Sequence, residues 1–408
     1  MHLGAIRMNS RRHLNFFLAG LLFLIPYYVH ASNGFPVSQK IAEQVWFWEG
    51  IFSKFDSNTM IIHDTFYPQI IIDVVNFEIF AKKFNRGQKY SRQKKSTIIK
   101  KYIKRYNIAL SQFRRAGKKA KDSGPMESRV YEVYSKNPKA LRLLLSGKAS
   151  IRSQTGLSDE FDRAAIRAKK FLPYIEKIFQ KEKLPLDLTR LAFVESMFNT
   201  RAKSKVGASG IWQFMPRTAK SYMTVSNRID ERNSPIKASK AASRYLSQIY
   251  RNLKSWPLAV TAYNHGTGGM RRAIRKTGSR NLETIIHKYR SNSFGFASRN
   301  FYSEFIAARN VYNRKYRTKT VFEKNPLGIG QIKLNRRMSL NQLIRHTPLT
   351  QETISYFNPC LLPKAFHKRY SKYKLPKNYE LFVPKEIMRE VSVALKRISP
   401  KRARRFNL

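Results

Sequence analysis

Leu188, Leu191, Ala192 and Glu195 fall at i, i+3, i+4 and i+7, so a helix drawn through them carries a carboxylate on a face that is otherwise apolar. A chain with this pattern must build a core beside an acid. Phe193, Val194, Met197 and Phe198 crowd the same position in sequence, and withdrawing a carboxyl group from water favours its neutral form. That is the state a general acid needs near neutral pH. On these residues alone two readings stand: Glu195 forms a structural ion pair with one of the many lysines or arginines, or it donates a proton. Ser196 is positioned to hydrogen-bond the carboxylate and fix its rotamer.

The segment that follows favours the second reading. GASG at 207–210 supplies two glycines for a backbone turn with positive φ or a close approach, and Pro216 suits the first turn of another helix. Between them Ile211, Trp212, Gln213, Phe214 and Met215 are candidates for a cleft wall, with aromatic faces for sugar rings and an amide for their hydroxyls. Further on, PLAVTAYN at 257–264 starts a helix with Pro and ends in AYNHG, where Tyr263 and Asn264 read either as a core tyrosine and a helix cap or as site residues.

Taken in order, VES at 194–196, GASGIWQFMP at 207–216 and AYNHG at 262–266 resemble the three motifs of the lytic transglycosylase domain, which is similar to goose-type lysozyme. The subgroup it is most similar to is the membrane-bound lytic murein transglycosylase D type, and the resemblance spans residues 160 to 315. It implies a lysozyme-like α-helical domain that cleaves the β-1,4 bond between N-acetylmuramic acid and N-acetylglucosamine in peptidoglycan. Glu195 would be the single general acid and base, Tyr263 would position or hydrogen-bond it, and Asn264 would lie beside the sugar. No cofactor and no metal are implied. The family's last motif has a Glu-Thr pair followed by a tyrosine; here FASRNFYSEF at 296–305 lacks the acid and places Phe301 at the tyrosine position. Tyr302 is the candidate carried from this motif, and Glu304 is assigned no catalytic role.

Glycosidases ordinarily flank the scissile oxygen with two carboxyl groups. Only Glu195 stands in a motif, so the resemblance implies that the substrate supplies its own nucleophile: the muramoyl 6-hydroxyl closes a 1,6-anhydro ring and no water is added. A hydrolytic or inactive peptidoglycan-binding scaffold is the alternative.

The formal charge of +54, from 79 Lys and Arg against 25 Asp and Glu, draws such a chain to polyanions, among them anionic envelope polymers or a membrane surface. Nucleic acid would use the charge but leave the cleft motifs without purpose, so no nucleic-acid partner is expected. A single cysteine, Cys360, excludes an intrachain disulfide.

The chain is expected to be mainly α and to divide into six parts. Residues 1–31 read as a signal peptide, with Arg7, Arg11 and Arg12 before an apolar run and small residues ahead of position 32; an uncleaved anchor is the other reading. This implies export across an inner membrane to the periplasm or cell envelope, without a cysteine for lipid attachment. Residues 32–156 form a mostly helical basic region, including an amphipathic helix over 96–113, while the apolar run 70–80 suits packed helices or a strand. The catalytic region is 157–316 and a linker covers 317–330. Residues 331–385 read as strand, helix, helix, strand, an order that resembles a LysM module, a small α+β fold that binds N-acetylglucosamine-containing glycans. Residues 386–408 are expected to be a basic C-terminal tail, mobile over its KRISPKRARRFNL end at 396–408.

Overall fold

Helix α14 (Phe296–Tyr312) runs through the main core, and α1 (Gln39–Ser53), α8 (Leu191–Ser196) and α11 (Trp256–His265) all pack against it. The computed structural model describes residues 34–317, 327–366 and 373–398, and these are mainly helical. Helix α1 forms because Ser38 caps its first turn, accepting from the Ile41 N–H, and because Ile41, Val45, Trp48 and Phe52 recur at helical spacing and are buried together. It is clasped to α14 by Trp48 Nε1 donating to Asn300 Oδ1 at 3.3 Å and Ser303 Oγ donating to Gln44 Oε1 at 2.7 Å. Although it precedes residue 157, α1 therefore shares one core with the catalytic region.

Helices α6 (Ser158–Lys169), α7 (Leu172–Lys181), α9 (Pro216–Lys220), α10 (Pro235–Leu253), α12 (Thr267–Thr277) and α13 (Leu282–Lys288) complete that region. Ser234 caps α10 and Pro235 occupies its first turn; its buried Ala238, Ala241 and Ala242 let α7 and α11 approach closely.

Between α1 and α6 the chain builds a three-stranded antiparallel sheet in the order β2 (Ile71–Asn76), β1 (Thr59–Asp64), β3 (Ile151–Thr155). The apolar run 70–80 thus becomes β2 followed directly by α2 (Phe77–Phe84). Helix α3 (Arg92–Ala116) contains the expected amphipathic stretch, burying Ile99, Tyr106 and Leu110 while Lys100, Lys101 and Lys104 stay exposed. After α4 (Pro125–Ser135) and α5 (Pro138–Leu145), β3 returns beside β1 with Arg152 opposite His63. This pairing carries a guanidinium from an edge strand toward α14.

At the C-terminal end β4 (Ile329–Lys333) pairs antiparallel with β7 (Glu380–Pro384), and between them lie α15 (Leu340–His346) and α16 (Gln351–Phe357), so the strand, helix, helix, strand order holds. A second pair, β5 (Met338–Ser339) with β6 (Lys374–Leu375), and α17 (Pro363–Phe366) add to it. Two expectations are corrected here. Met388–Arg397 is a helix, α18, with Val391 and Leu395 buried in the module's core, so the module does not end at 385 and the basic tail cannot begin at 386. The end of the expected linker is also fastened, since Tyr174 Oη donates to the Leu327 carbonyl at 2.8 Å and Leu327 N–H donates to that of Lys170 at 3.2 Å. The signal segment 1–31, most of the linker, residues 367–372 and the last ten residues lie outside the described residues.

This module is seated on the catalytic region rather than strung beside it. Asp230 N–H donates to the Cys360 carbonyl at 2.8 Å and Leu362 N–H to that of Arg228 at 2.9 Å, which puts Ile229 inside the module's own core. Lys240 pairs with Glu380 at 2.7 Å, and Lys237 Nζ lies 3.6 Å from the Tyr379 ring centroid.

Candidate active site

Helix α8 is only six residues long because the backbone turns sharply after it. Met197 and Phe198 both take left-handed conformations, with φ of 51° and 54°, at a cost of about 1–2 kcal/mol per residue for side chains of this kind. Two contacts hold the turn: the Phe198 ring is fully buried against Phe193, and the Arg167 guanidinium donates twice to the Met197 carbonyl, at 2.8 and 3.1 Å. The turn ends the helix at its acid. Leu188, Leu191 and Ala192 are wholly buried, as the stripe requires, and Glu195 sits at the stripe's end, half-buried.

The GASG segment folds back over this helix end. Gly207 and Gly210 have φ of 92° and 77°, as the sequence requires of them. Arg232 laces the loop from beneath: it donates to the Gly207 carbonyl at 2.7 Å and to that of Phe214 at 3.1 Å, while Asp230 accepts from the same guanidinium at 2.7 and 2.8 Å. A buried Arg–Asp pair satisfied in this way is costly to break at either partner. Neither residue was singled out in the sequence, because no motif marks a guanidinium that reads backbone carbonyls.

The predicted site residues divide. Ser196 does not bond Glu195; its Oγ donates to the Ile211 carbonyl at 2.9 Å and so ties the helix end to the loop. Gln213 is half-buried at φ 46° and spends its amide on the carbonyls of Gly210, at 2.8 Å, and Ala202, at 3.3 Å. Phe214 is buried against Tyr263 and Tyr245, and Trp212 is buried with its indole stacked on Phe179 and bonded to Ser239 Oγ. These two rings are therefore core and not a sugar platform, whereas Met215 is exposed. Tyr263 faces the acid: burial first, and then the Glu195 charge, push its hydroxyl well above the ordinary range, while its proton goes to the Trp212 carbonyl at 2.9 Å. Asn264 is exposed beside it, accepting from Ser298 Oγ at 2.8 Å. Tyr302 is not at this site. It is 1% exposed and donates to the Pro36 carbonyl at 2.9 Å, which anchors the segment leading into α1, and Phe301 is likewise core.

What the sequence reading set aside, the structure brings in. Eleven acids lie between residues 157 and 316, and eight of them (Asp159, Glu160, Asp162, Glu176, Asp187, Asp230, Glu231 and Glu283) hold a Lys or Arg partner. Glu182 is exposed. The remaining two are Glu195 on α8 and Glu304 on α14, both half-buried and neither with a hydrogen bond or ion pair among the described residues. Part of each side chain is still accessible, yet protein surrounds the carboxyl groups closely enough that each is pushed up to about 8. For Glu195 the causes are burial and then the charge of Glu304; for Glu304 they are burial, opposed by Arg152. No cluster of three or more His, Cys, Asp or Glu suited to a metal occurs among the described residues.

An unpaired acid at a helix end, a glycine loop clamped over it and a tyrosine facing it form a constellation that can be set against known families. Residues 173–286 match the Transglycosylase SLT domain. The likeness lies in this part of the chain, 114 of its 408 residues. Over 136 residues the chain is 29% identical to the membrane-bound lytic murein transglycosylase D of Escherichia coli strain K12, covering 33% of this chain and 29% of that protein. Over 111 residues it is 33% identical to the membrane-bound lytic murein transglycosylase F of Pseudoalteromonas translucida, covering 24% of this chain and 22% of that protein. The chain thus spans less than a third of the length of these relatives. Among solved structures, the lytic transglycosylase Slt of Pseudomonas aeruginosa, an inactive mutant, aligns at a TM-score of 0.31 and 17% identity, over 52% of this chain and 38% of its own.

The matched region also carries a groove of about 400 Å³ lined by Arg217, Tyr222, Tyr245, Gln248, Thr267 and Arg271, among others. Tyr245 lies 5.5 Å, ring to ring, from both Tyr263 and Tyr222, so a line of three aromatic rings leads from the acid into it. Hydroxyl, amide and guanidinium groups over aromatic faces are the complement of a sugar ring bearing an anionic substituent.

Proposed function

We propose that the chain is a peptidoglycan lytic transglycosylase in which Glu195 serves as both acid and base. Glu195 protonates the oxygen between N-acetylmuramic acid and N-acetylglucosamine; the C–O bond breaks, and the departing sugar keeps that proton as its hydroxyl hydrogen. The resulting carboxylate then takes the proton of the muramoyl 6-hydroxyl, whose oxygen closes the 1,6-anhydro ring and restores the acid. Atoms balance without water. The observation that carries the reading is the state of Glu195: it is an acid left without a cation in a chain with 79 of them, pushed up to about 8 and so still protonated at neutral pH. The match of residues 173–286 to the Transglycosylase SLT domain supports the substrate class.

Tyr263, Asn264 and the groove beyond Tyr245 would hold the glycan, and the C-terminal module would add a second contact to the same polymer. No helix among the described residues is long and apolar enough to cross a membrane. We place the protein in the cell envelope after export, where the positive surface meets anionic polymers.

A hydrolytic reading has one observation in its favour: Glu304 gives the site a second carboxyl group, the usual means of activating water. Mass spectrometry of purified peptidoglycan after incubation separates the two, because anhydro and reducing muramic ends differ by one water. Anhydro ends are expected; reducing ends alone would overturn the transglycosylase reading.

A further inference from the structure

Helix α3 and the sheet beside it lie outside residues 173–286, and the reaction just described does not use them. Met60 clusters with Ile99 of α3, and Ile62, further along β1, clusters with Tyr106 and Phe113, so the helix runs along the strands over one face of the sheet. Between helix and sheet a groove of about 1170 Å³ stays open. Helix α3 lines it with a single stripe from Arg92 to Ser111, in steps of three and four residues that mark one side of a helix. At 1.5 Å per residue the stripe is about 28 Å long. Met60 of β1 and Ser153 and Thr155 of β3 form the facing wall.

Charge is the first property that selects an occupant. Arg92, Lys95, Lys100 and Lys104 line the groove, and no Asp or Glu does. Lys95 donates to Asn58 Oδ1 at 2.7 Å, but Arg92, Lys100 and Lys104 have no hydrogen bond or ion pair among the described residues. These cations are interleaved along the stripe with Ile99, Ile103 and Ile108, the last of them 52% exposed. A lipid carries its charge at one end and its hydrocarbon at the other, whereas a groove that interleaves the two fits a chain that repeats both along its length.

A free strand edge is the second. Gly156 N–H donates to the Thr59 carbonyl at 2.9 Å and Thr65 N–H to that of Ser150 at 2.7 Å, which fixes the phase of the ladder between β1 and β3. Arg152 and Gln154 turn their backbone groups to β1, so Ile151, Ser153 and Thr155 turn theirs outward. Of these outward groups the Thr155 carbonyl accepts from the Gln154 amide at 3.1 Å; the others have no partner among the described residues. An open edge of this kind is a template for another strand.

We propose that the groove binds an acidic segment of another protein, held in extended conformation as a fourth strand beside β3. Its backbone pairs with the outward groups of Ile151 and Ser153 and with the Thr155 N–H, and every second side chain then faces α3. Alternate side chains of a strand recur about 6.7 Å apart, close to the roughly 6 Å that separates Lys100 from Lys104 one turn further along the helix. Carboxylates at alternate positions therefore meet successive lysines. About eight extended residues span the stripe. The chain does not supply this segment itself: residues 1–33, 318–326, 367–372 and 399–408, which lie outside the described residues, are each net positive, and a second copy carries +54. The proposal is independent of the reaction, and either can fail alone.

The test uses the full chain and a fluorescein-labelled peptide, (Glu-Val)4-amide, followed by fluorescence anisotropy. The peptide should bind the parent, with Kd raised about tenfold or more when the peptide is N-methylated throughout, which keeps its side chains and removes its N–H donors. Lys100→Glu combined with Lys104→Glu should raise Kd by about tenfold or more as well. Both lysines are exposed, so that variant should keep the near-ultraviolet circular dichroism of the parent. Ser153→Pro, which removes an outward N–H that no group in the chain uses, should weaken binding to the same degree. In hydrogen exchange the peptide should protect the Ser153 and Thr155 amides by about tenfold or more. Equal binding of the N-methylated peptide would overturn the proposal and reduce the groove to a patch of positive charge. So would vesicles of phosphatidylglycerol that displace the peptide and leave the Ser153 and Thr155 amides unprotected, the result expected of a lipid site. Absence of peptide binding at low ionic strength would overturn it outright.

Discussion

Gly210 lies so close to Arg232 that a Cβ built on it would come within 1.8 Å of the Arg232 carbonyl oxygen. The obstacle is backbone, which has little room to retreat, and φ at this glycine is +77°. Gly210→Ala therefore meets a steric and a conformational penalty together, about 3 kcal/mol or more in total. Thermal unfolding should show a drop of several degrees, and turnover of a soluble glycan should fall at least tenfold because the loop that folds over α8 is displaced. Wild-type melting together with wild-type turnover would show that this contact is not needed to hold the loop.

Glu195→Gln keeps the shape of the side chain and removes its proton. Cleavage should be lost while glycan binding and the near-ultraviolet circular dichroism are retained; cleavage within tenfold of the parent would sink the assignment. Stability should respond with a definite sign. The Glu195 carboxyl is raised from 4.5 to about 8 in the folded chain, so between those values the native state holds a proton that the unfolded state has released. Stability from this group is full below about pH 4.5 and is lost as pH rises through 8. In chemical denaturation, the difference between Glu195→Gln and the parent should shift in favour of the variant from pH 5 to pH 8.

How much of this was legible in the sequence depends on where the information resides. Glu195 and the φ requirements of Gly207 and Gly210 were readable because each is local: a helical period, and a residue type without a Cβ. Trp212 and Phe214 were misplaced into a cleft wall because aromatic side chains serve a core and a sugar platform equally well in sequence, and only the packing on Phe179 and Tyr245 decides. Glu304 was passed over since its relation to Glu195 spans 109 positions and is made by two helices meeting. Arg152 belongs to an edge strand with no motif at all. The one usable signal was statistical, an acid on a buried helix in a chain so rich in cations.

The seating of the C-terminal module changes what its removal should do. Ile229 is 2% exposed and belongs to the module's core, while its neighbour Asp230 both accepts from Arg232 and donates to the Cys360 carbonyl. The chain of contacts runs from the module through Asp230 and Arg232 to the GASG loop. A chain ending at residue 326 would expose Ile229, losing about 1.5–3 kcal/mol of burial, and loosen the loop. Turnover of a soluble fragment should fall severalfold, in addition to weaker retention on insoluble murein. If turnover is unchanged and only retention falls, the module is a tether and the buttress is dispensable.

The positive charge should govern how the protein reaches its polymer more than how it cuts it. A field from +54 formal charges acts at long range on the carboxylates of murein and other envelope polyanions, whereas Glu195, Tyr263 and Asn264 would act at hydrogen-bond distance. Salt distinguishes these ranges: the Debye length falls from about 10 Å at 0.1 M to about 3 Å at 1 M ionic strength, which screens exposed lysines far more than a carboxyl group enclosed by protein. Raising salt over that interval should weaken association with intact sacculi severalfold and change turnover on a short soluble glycan only slightly. The groove arginines set the sharper limit. Arg217 and Arg271 are exposed at the groove, so a soluble fragment carrying its stem carboxylates should show a modest rise in KM with salt, and one stripped of them should show none. Equal losses of turnover on both fragments and of binding to sacculi would mean that the charge acts within the site itself, and the separation of recruitment from cleavage would fail.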